Sequence, residues 1–137
     1  MKNRLLVVIS TCLLLLTSSC VASNEVKVRL GEEFSLKSGQ IAVISDENLK
    51  IEFVEVTEDS RCPKGVTCVW EGRVSCLVEI TYRESLHSVV LSEPGLTKFP
   101  PEQPFQEYKL AYHIEPYPEA GIDIAKDEYQ LELKISK

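Results

Sequence analysis

Val66–Tyr82 reads VTCVWEGRVSCLVEITY. From Val74 on, apolar residues fall at every second place: Val74, Cys76, Val78, Ile80 and Tyr82. A period of two puts them on one face of a β-strand, with Ser75, Glu79 and Thr81 on the other. Counted backwards, the same parity takes in Trp70 and Cys68. It therefore predicts that both share the buried face, with Trp70 filling the core beside them. Seventeen residues is long for one strand, and Gly72 is the natural place for a bulge or a turn.

The same alternation extends in both directions. Val26, Val28 and Leu30 alternate with Lys27 and Arg29, and Phe34 and Leu36 resume the pattern after Gly31. Ile41–Ile44 is a short apolar run, and Leu49 to Val56 is a longer strand behind the turn at Asp46-Glu47-Asn48. Leu86 to Leu91, then Tyr108, Leu110, Tyr112 and Ile114, and finally Tyr129, Leu131, Leu133 and Ile135 complete the set. Residues 93–104 hold Pro94, Gly95, Pro100, Pro101 and Pro104 and read as an irregular loop. No amphipathic helix of useful length interrupts the strands. Seven or eight antiparallel strands predict an immunoglobulin-like β-sandwich, with a small β-barrel as the alternative. Strands running alternately up and down put the loop at 62–68 and the proline loop at one end. Loop 116–126 then falls at the other.

The first 19 residues do not belong to that fold. Lys2 and Arg4 precede the uncharged apolar run Leu5–Leu16, followed by small Thr17, Ser18 and Ser19 and then Cys20. This order is that of a secretory signal, and the run is short of the roughly 20 residues that span a bilayer. Leu16-Thr17-Ser18-Ser19-Cys20 resembles the bacterial lipobox, with Thr17 where Leu is more usual. The resemblance implies that Cys20 is acylated and becomes the mature N-terminus. The plainer alternative is an ordinary signal cleaved nearby. Val21 follows Cys20 in place of an Asp retention residue, which implies the outer membrane if the cell is Gram-negative. Residues 20–25 are then a lipidated N-terminus and tether, and residues 26–137 a single domain.

Of 137 residues, 118 remain once residues 1–19 are removed, enough for one core. Losing Lys2 and Arg4 reduces 15 basic residues to 13, against 21 acidic ones, for a net charge of −8. That balance argues against nucleic acid, or an anionic membrane surface, as the main partner. Of the five cysteines, Cys62, Cys68 and Cys76 remain in an oxidising compartment. A Cys62–Cys68 pair closes a short loop and contributes about 2 kcal/mol, leaving Cys76 free. A Cys68–Cys76 pair across a hairpin is the other arrangement the spacing permits.

Asp59-Ser60-Arg61-Cys62-Pro63, followed by Cys68-Val69-Trp70 and Gly72, is the one specific motif. It resembles a signature of small, largely uncharacterised bacterial secreted proteins and lipoproteins, in which Ser-Arg-Cys-Pro precedes Cys-Val/Ile-Trp-x-Gly. That resemblance implies an exported fold and no particular chemistry. Each motif residue has a use in folding: Asp59 and Ser60 fix the loop, Arg61 pairs with an acid, and Pro63 stiffens the turn. Read functionally, Arg61 is an exposed anion contact on a rigid loop. Trp70, Leu96 and Phe99 are the other candidate contact residues. Leu96 and Phe99 either present an apolar surface or fold back as a lid.

The usual catalytic patterns are missing. There is no Gly-x-Ser-x-Gly, His-Glu-x-x-His or phosphate-binding loop. His87 lacks an acid at a telling spacing, and His113 shares an outward face with Lys109, Ala111 and Glu115, where it is expected to be solvated. Five residues separate Cys62 from Cys68, unlike a thioredoxin-type pair. No catalytic residue, metal ligand or cofactor is assigned. The expectation is a non-catalytic envelope lipoprotein, held to the membrane by its lipid, that binds a protein or another envelope component. A sandwich-type protease inhibitor acting through loop tips is the alternative, and a small hydrolase comes last.

Overall fold

A computed structural model of the protein describes residues 24–96 and 100–137. The segment read as an export signal, with Cys20, and Phe99 lie outside the described residues. The nine strands in chain order are β1 (Glu25–Lys27), β2 (Glu33–Lys37), β3 (Ile41–Ile44), β4 (Leu49–Asp59), β5 (Arg73–Tyr82), β6 (Ser85–Pro94), β7 (Glu102–Phe105), β8 (Tyr108–Glu115) and β9 (Gln130–Ser136). They form two sheets, ordered β1-β3-β4-β5-β6 and β2-β9-β8-β7. Among the described residues no ladder joins the sheets into a closed barrel, so the expected sandwich is the fold. Every pairing is antiparallel except β1 with β3. That exception comes from the path of the chain. β2 crosses to the opposite sheet, so β1 and β3 lie in the first sheet in the same direction.

Alternation in the sequence becomes the core. Ile51, Phe53, Val78 and Ile80 of the first sheet and Leu36, Leu110, Ile114 and Leu131 of the second are all essentially inaccessible. Burial of each such side chain contributes about 1.5–3 kcal/mol. Cys76 lies among them on β5, opposite Val56 and Leu91, and is unpaired. The disulfide is Cys62–Cys68, so the pairing across a hairpin does not form. Burial, reinforced by the charge of Glu93, pushes the Cys76 thiol up to about 12.

The proline loop is not irregular throughout. β6 runs through Pro94, and residues 102–105 form β7 against the first half of β8. Both are edge strands, where a proline costs no ladder hydrogen bond on the open side. This extra strand reverses the parity of the later strands. β8 therefore ends at the same end of the sandwich as β4 and β6, and loop 116–126 joins the loop at 62–68 instead of opposing it. A parallel bridge between Lys64 and Glu119 fixes that neighbourhood.

β4 outruns its sheet. Register shifts between Phe53 and Glu55 and between Val56 and Glu58 mark two irregularities in its pairing with β5. Bulges bend and twist a strand, and the end of β4 reaches the second sheet, where Tyr129 donates to Asp59 Oδ2 at 3.1 Å. Gly72 closes this end. It sits at φ +69°, where a Cβ would lie 1.8 Å from the Ser60 carbonyl oxygen. Gly121 has a similar φ of +76° but open space around it. Gly72→Ala is therefore expected to cost about 3 kcal/mol or more in urea unfolding, from left-handed strain plus a backbone clash. Gly121→Ala should cost about 1 kcal/mol, from strain alone. Equal costs at the two positions would contradict this packing.

Candidate functional site

Asp59 and Arg61 are two residues apart at the overrunning end of β4. The guanidinium grips the carboxylate at both oxygens, Nε to Oδ1 at 2.9 Å and Nη2 to Oδ2 at 2.6 Å. It also donates from Nη1 to the Ile114 carbonyl and from Nη2 to the Pro116 carbonyl, both at 2.8 Å. Its central carbon lies 4.9 Å from the centre of the Tyr117 ring. Arg61 is only 4% exposed. The expected pairing with an acid forms, and the acid is Asp59, whereas the exposed anion contact does not form, because the guanidinium is spent on the end of β8. Burial, with the charge of Asp59 added, pushes the Tyr129 hydroxyl up to about 12. That phenol stays protonated and donates to Asp59.

The stapled loop is built on this cluster. The Cys62 amide donates to the Glu71 carbonyl at 3.0 Å, and the Tyr117 hydroxyl donates to the Cys62 carbonyl at 2.9 Å. Lys64 exchanges backbone hydrogen bonds with Pro118 and Ala120 at 2.9 and 3.1 Å. With the disulfide, these contacts immobilise a short loop whose apolar side chains face outward. Val66 and Leu96 are exposed, Val69 is fully so, and Trp70 is 75% exposed. Together with Pro63 and Tyr117 they border an open groove of about 940 Å³.

Trp70 therefore does not fill the core. The alternation that grouped it with Val74 requires a continuous strand, but β5 begins at Arg73 and the left-handed turn at Gly72 breaks the parity. Cys68 leaves the Val74 face for the same reason. Trp70 and Leu96 do meet at one groove, as contact residues would, while Phe99 lies outside the described residues. Leu96 is exposed and forms no lid. No family model, curated protein or solved structure matches this chain. The reading of this end accordingly rests on its own geometry.

One cluster went unread in the sequence. His113 is not simply solvated: Nδ1 hydrogen-bonds Glu93, and Nε2 lies 2.9 Å from Glu115. Glu93 is buried, and its second oxygen accepts the Ile114 amide at 2.9 Å. The available signal was parity, since Glu93 takes an inward position two places after Leu91. Both ring nitrogens are committed to carboxylates, which leaves neither free to serve a nucleophile as a base. Among the described residues, no three His, Cys, Asp or Glu side chains are grouped to hold a metal ion.

Burial opposes charge on His113, but hydrogen bonds and charge from Glu93 and Glu115 outweigh it, and its pKa is raised. The folded protein thus holds this proton more tightly than the unfolded chain, whose His titrates near 6.5. The resulting stabilisation is complete below about pH 6.5 and disappears as pH rises through the folded pKa. Against His113→Gln, the wild-type advantage in urea midpoint should shrink between pH 5.5 and pH 8.5; a gap that widens would contradict the cluster. A second comparison separates the two motif residues. Arg61→Met should cost about 3–5 kcal/mol, because it strands a buried carboxylate. Trp70→Ala should stay within about 0.5 kcal/mol, as for an ordinary surface change.

Proposed function

We propose that this protein is a non-catalytic lipoprotein of the bacterial cell envelope, anchored through acylated Cys20. It acts as a binding or accessory module, and the stapled end of its sandwich is the working surface. One observation carries this reading. Val66, Val69, Trp70 and Leu96 are exposed together on backbone that a disulfide and a buried Arg–Asp pair hold still. Exposed apolar clusters on rigid loops mark contact surfaces, because ordering them costs little on binding. The net charge of −8 on residues 20–137 disfavours nucleic acid as the partner. Val21 after Cys20 supports the outer membrane in a Gram-negative cell.

A second reading draws on the same end. Three segments, at 62–70, 95–96 and 117–122, converge there, and the first is closed by a disulfide. Such a convergence suits a loop-tip protease inhibitor, which would abolish the activity of a target protease at a one-to-one ratio.

Intact mass of the membrane-extracted protein, with and without reduction and alkylation, tests the principal reading. The expected species starts at Cys20, carries acyl mass and holds one disulfide and one free thiol. An unacylated species cleaved elsewhere would overturn the anchor and turn attention to secreted targets, proteases included.

A further inference from the structure

The direction of β1 relates the anchor to the stapled end. β1 runs parallel to β3 and antiparallel to β4, whose end forms the tip. Followed backwards from Lys27 to Asn24, the chain therefore heads toward the tip. Glu25 pairs with Ile41, which is opposite Glu52 of β4, itself paired with Glu79 of β5, so Asn24 stands one residue nearer the tip, level with Phe53 and Val78. From there the sheet continues along β5 from Val78 to Val74, a rise of about 14 Å at roughly 3.4 Å per residue, and the stapled loop extends past that level, where the Cys62 amide meets the Glu71 carbonyl. The four residues from Cys20 to Asn24 span at most about 14 Å when fully extended. Even a fully extended tether therefore reaches only the level of Val74, and an anchor at Cys20 does not hold the membrane surface clear of the loop beyond it while the strands stand upright.

We infer that the stapled tip docks on the bilayer that holds the lipid, with Val69 and Trp70 in the interfacial layer and Val66 and Leu96 beside them. The inference rests on the acylation of Cys20 proposed above and names what occupies the tip. Tip chemistry fits a lipid interface. Trp is amphipathic and favours the headgroup level, and the neighbouring exposed side chains are apolar. Charge at this end does not favour anionic headgroups. Arg73 pairs with Glu58 at 3.3 Å and Lys126 with Glu55 at 3.5 Å, while Glu119, Asp123, Asp127 and Glu128 are exposed acids. Lys64 lies 5.6 Å from the Tyr117 ring centroid. Docking is accordingly apolar and insensitive to salt, and it works on a zwitterionic surface. The same four side chains border the groove, which is not required to hold a ligand.

Trp70 is the only Trp in the chain, which makes it a site-specific reporter. The test uses the membrane-extracted protein, its acylation checked by intact mass, reconstituted into phosphatidylcholine vesicles carrying brominated acyl chains. The expected result is blue-shifted Trp70 emission, quenched most by bromines near the headgroups and unchanged by 0.5 M salt. Val69→Asp, at a fully exposed site that leaves the fold intact, should lower the quenched fraction about tenfold, the scale of one large apolar side chain. Protein that is acylated and floats with the vesicles but keeps water-exposed Trp70 emission overturns tip docking and leaves the lipoprotein reading standing. Trp70 shielded only when another protein co-purifies overturns it in favour of a protein contact. An unacylated mass overturns the anchor reading, and the docking inference with it.

Discussion

One ion pair, with its guanidinium fully buried, holds the stapled end of this protein in place. Arg61 and Asp59 are neighbours in sequence, yet the guanidinium also reaches the carbonyls of Ile114 and Pro116, at the end of a strand in the opposite sheet. That tie, with the Tyr129 hydroxyl donating to Asp59 and the Tyr117 hydroxyl to the Cys62 carbonyl, brings the bent end of β4 across the sandwich and sets the floor of the stapled loop. Buried pairs of this kind contribute little net stability compared with a well-packed apolar alternative. Their contribution here is directional. An apolar plug could fill the same space, but only a planar donor set can choose among particular carbonyl oxygens.

Glu93 has a comparable role on the open flank. β7 pairs only with Tyr108–Ala111, so the second half of β8 faces β6 across the gap between the sheets. Among the described residues no ladder closes that gap. Glu93 accepts the Ile114 amide, the Pro101 carbonyl accepts the Tyr112 amide, and the Tyr112 hydroxyl bridges to both backbone groups of Ser92. Side chains thus satisfy the backbone groups that further pairing would have used. Two buried charges, each spent on main-chain atoms of β8, mark the places where the sandwich departs from regular pairing.

Most of the fold was legible because burial on one face leaves a period of two in the sequence. Leu49–Phe53, Val74–Tyr82, Tyr108–Ile114 and Leu131–Ile135 all carry it plainly. β7 was hidden because an edge strand of four residues containing Pro104 has neither the composition nor the length of a strand signal. Missing it reversed the parity of β8 and misplaced loop 116–126. Trp70 was misjudged for a related reason, since alternation carries no information across a residue with positive φ. The disulfide was readable from spacing, and the pairing of Arg61 with a nearby acid from proximity, though not which acid. The partners of Arg61 on β8 and of His113 on β6 were not readable, because they depend on which strand ends meet in space.

Cys76 gives the staple an order of events. A thiol attacks a disulfide only as its thiolate. With burial pushing the Cys76 thiol up to about 12, it stays protonated near neutral pH, and the fully buried sulfur meets no approaching partner. In the unfolded chain the same thiol titrates near 8.5 and can capture either member of the loop. Formation of β5 therefore separates two regimes: before it the three cysteines can exchange freely, and after it whichever pairing lies outside the core is locked. Burial of Cys76 as a free thiol is incompatible with either pairing that uses it, so a folded core leaves Cys62 and Cys68 as the only two of the three that can be joined.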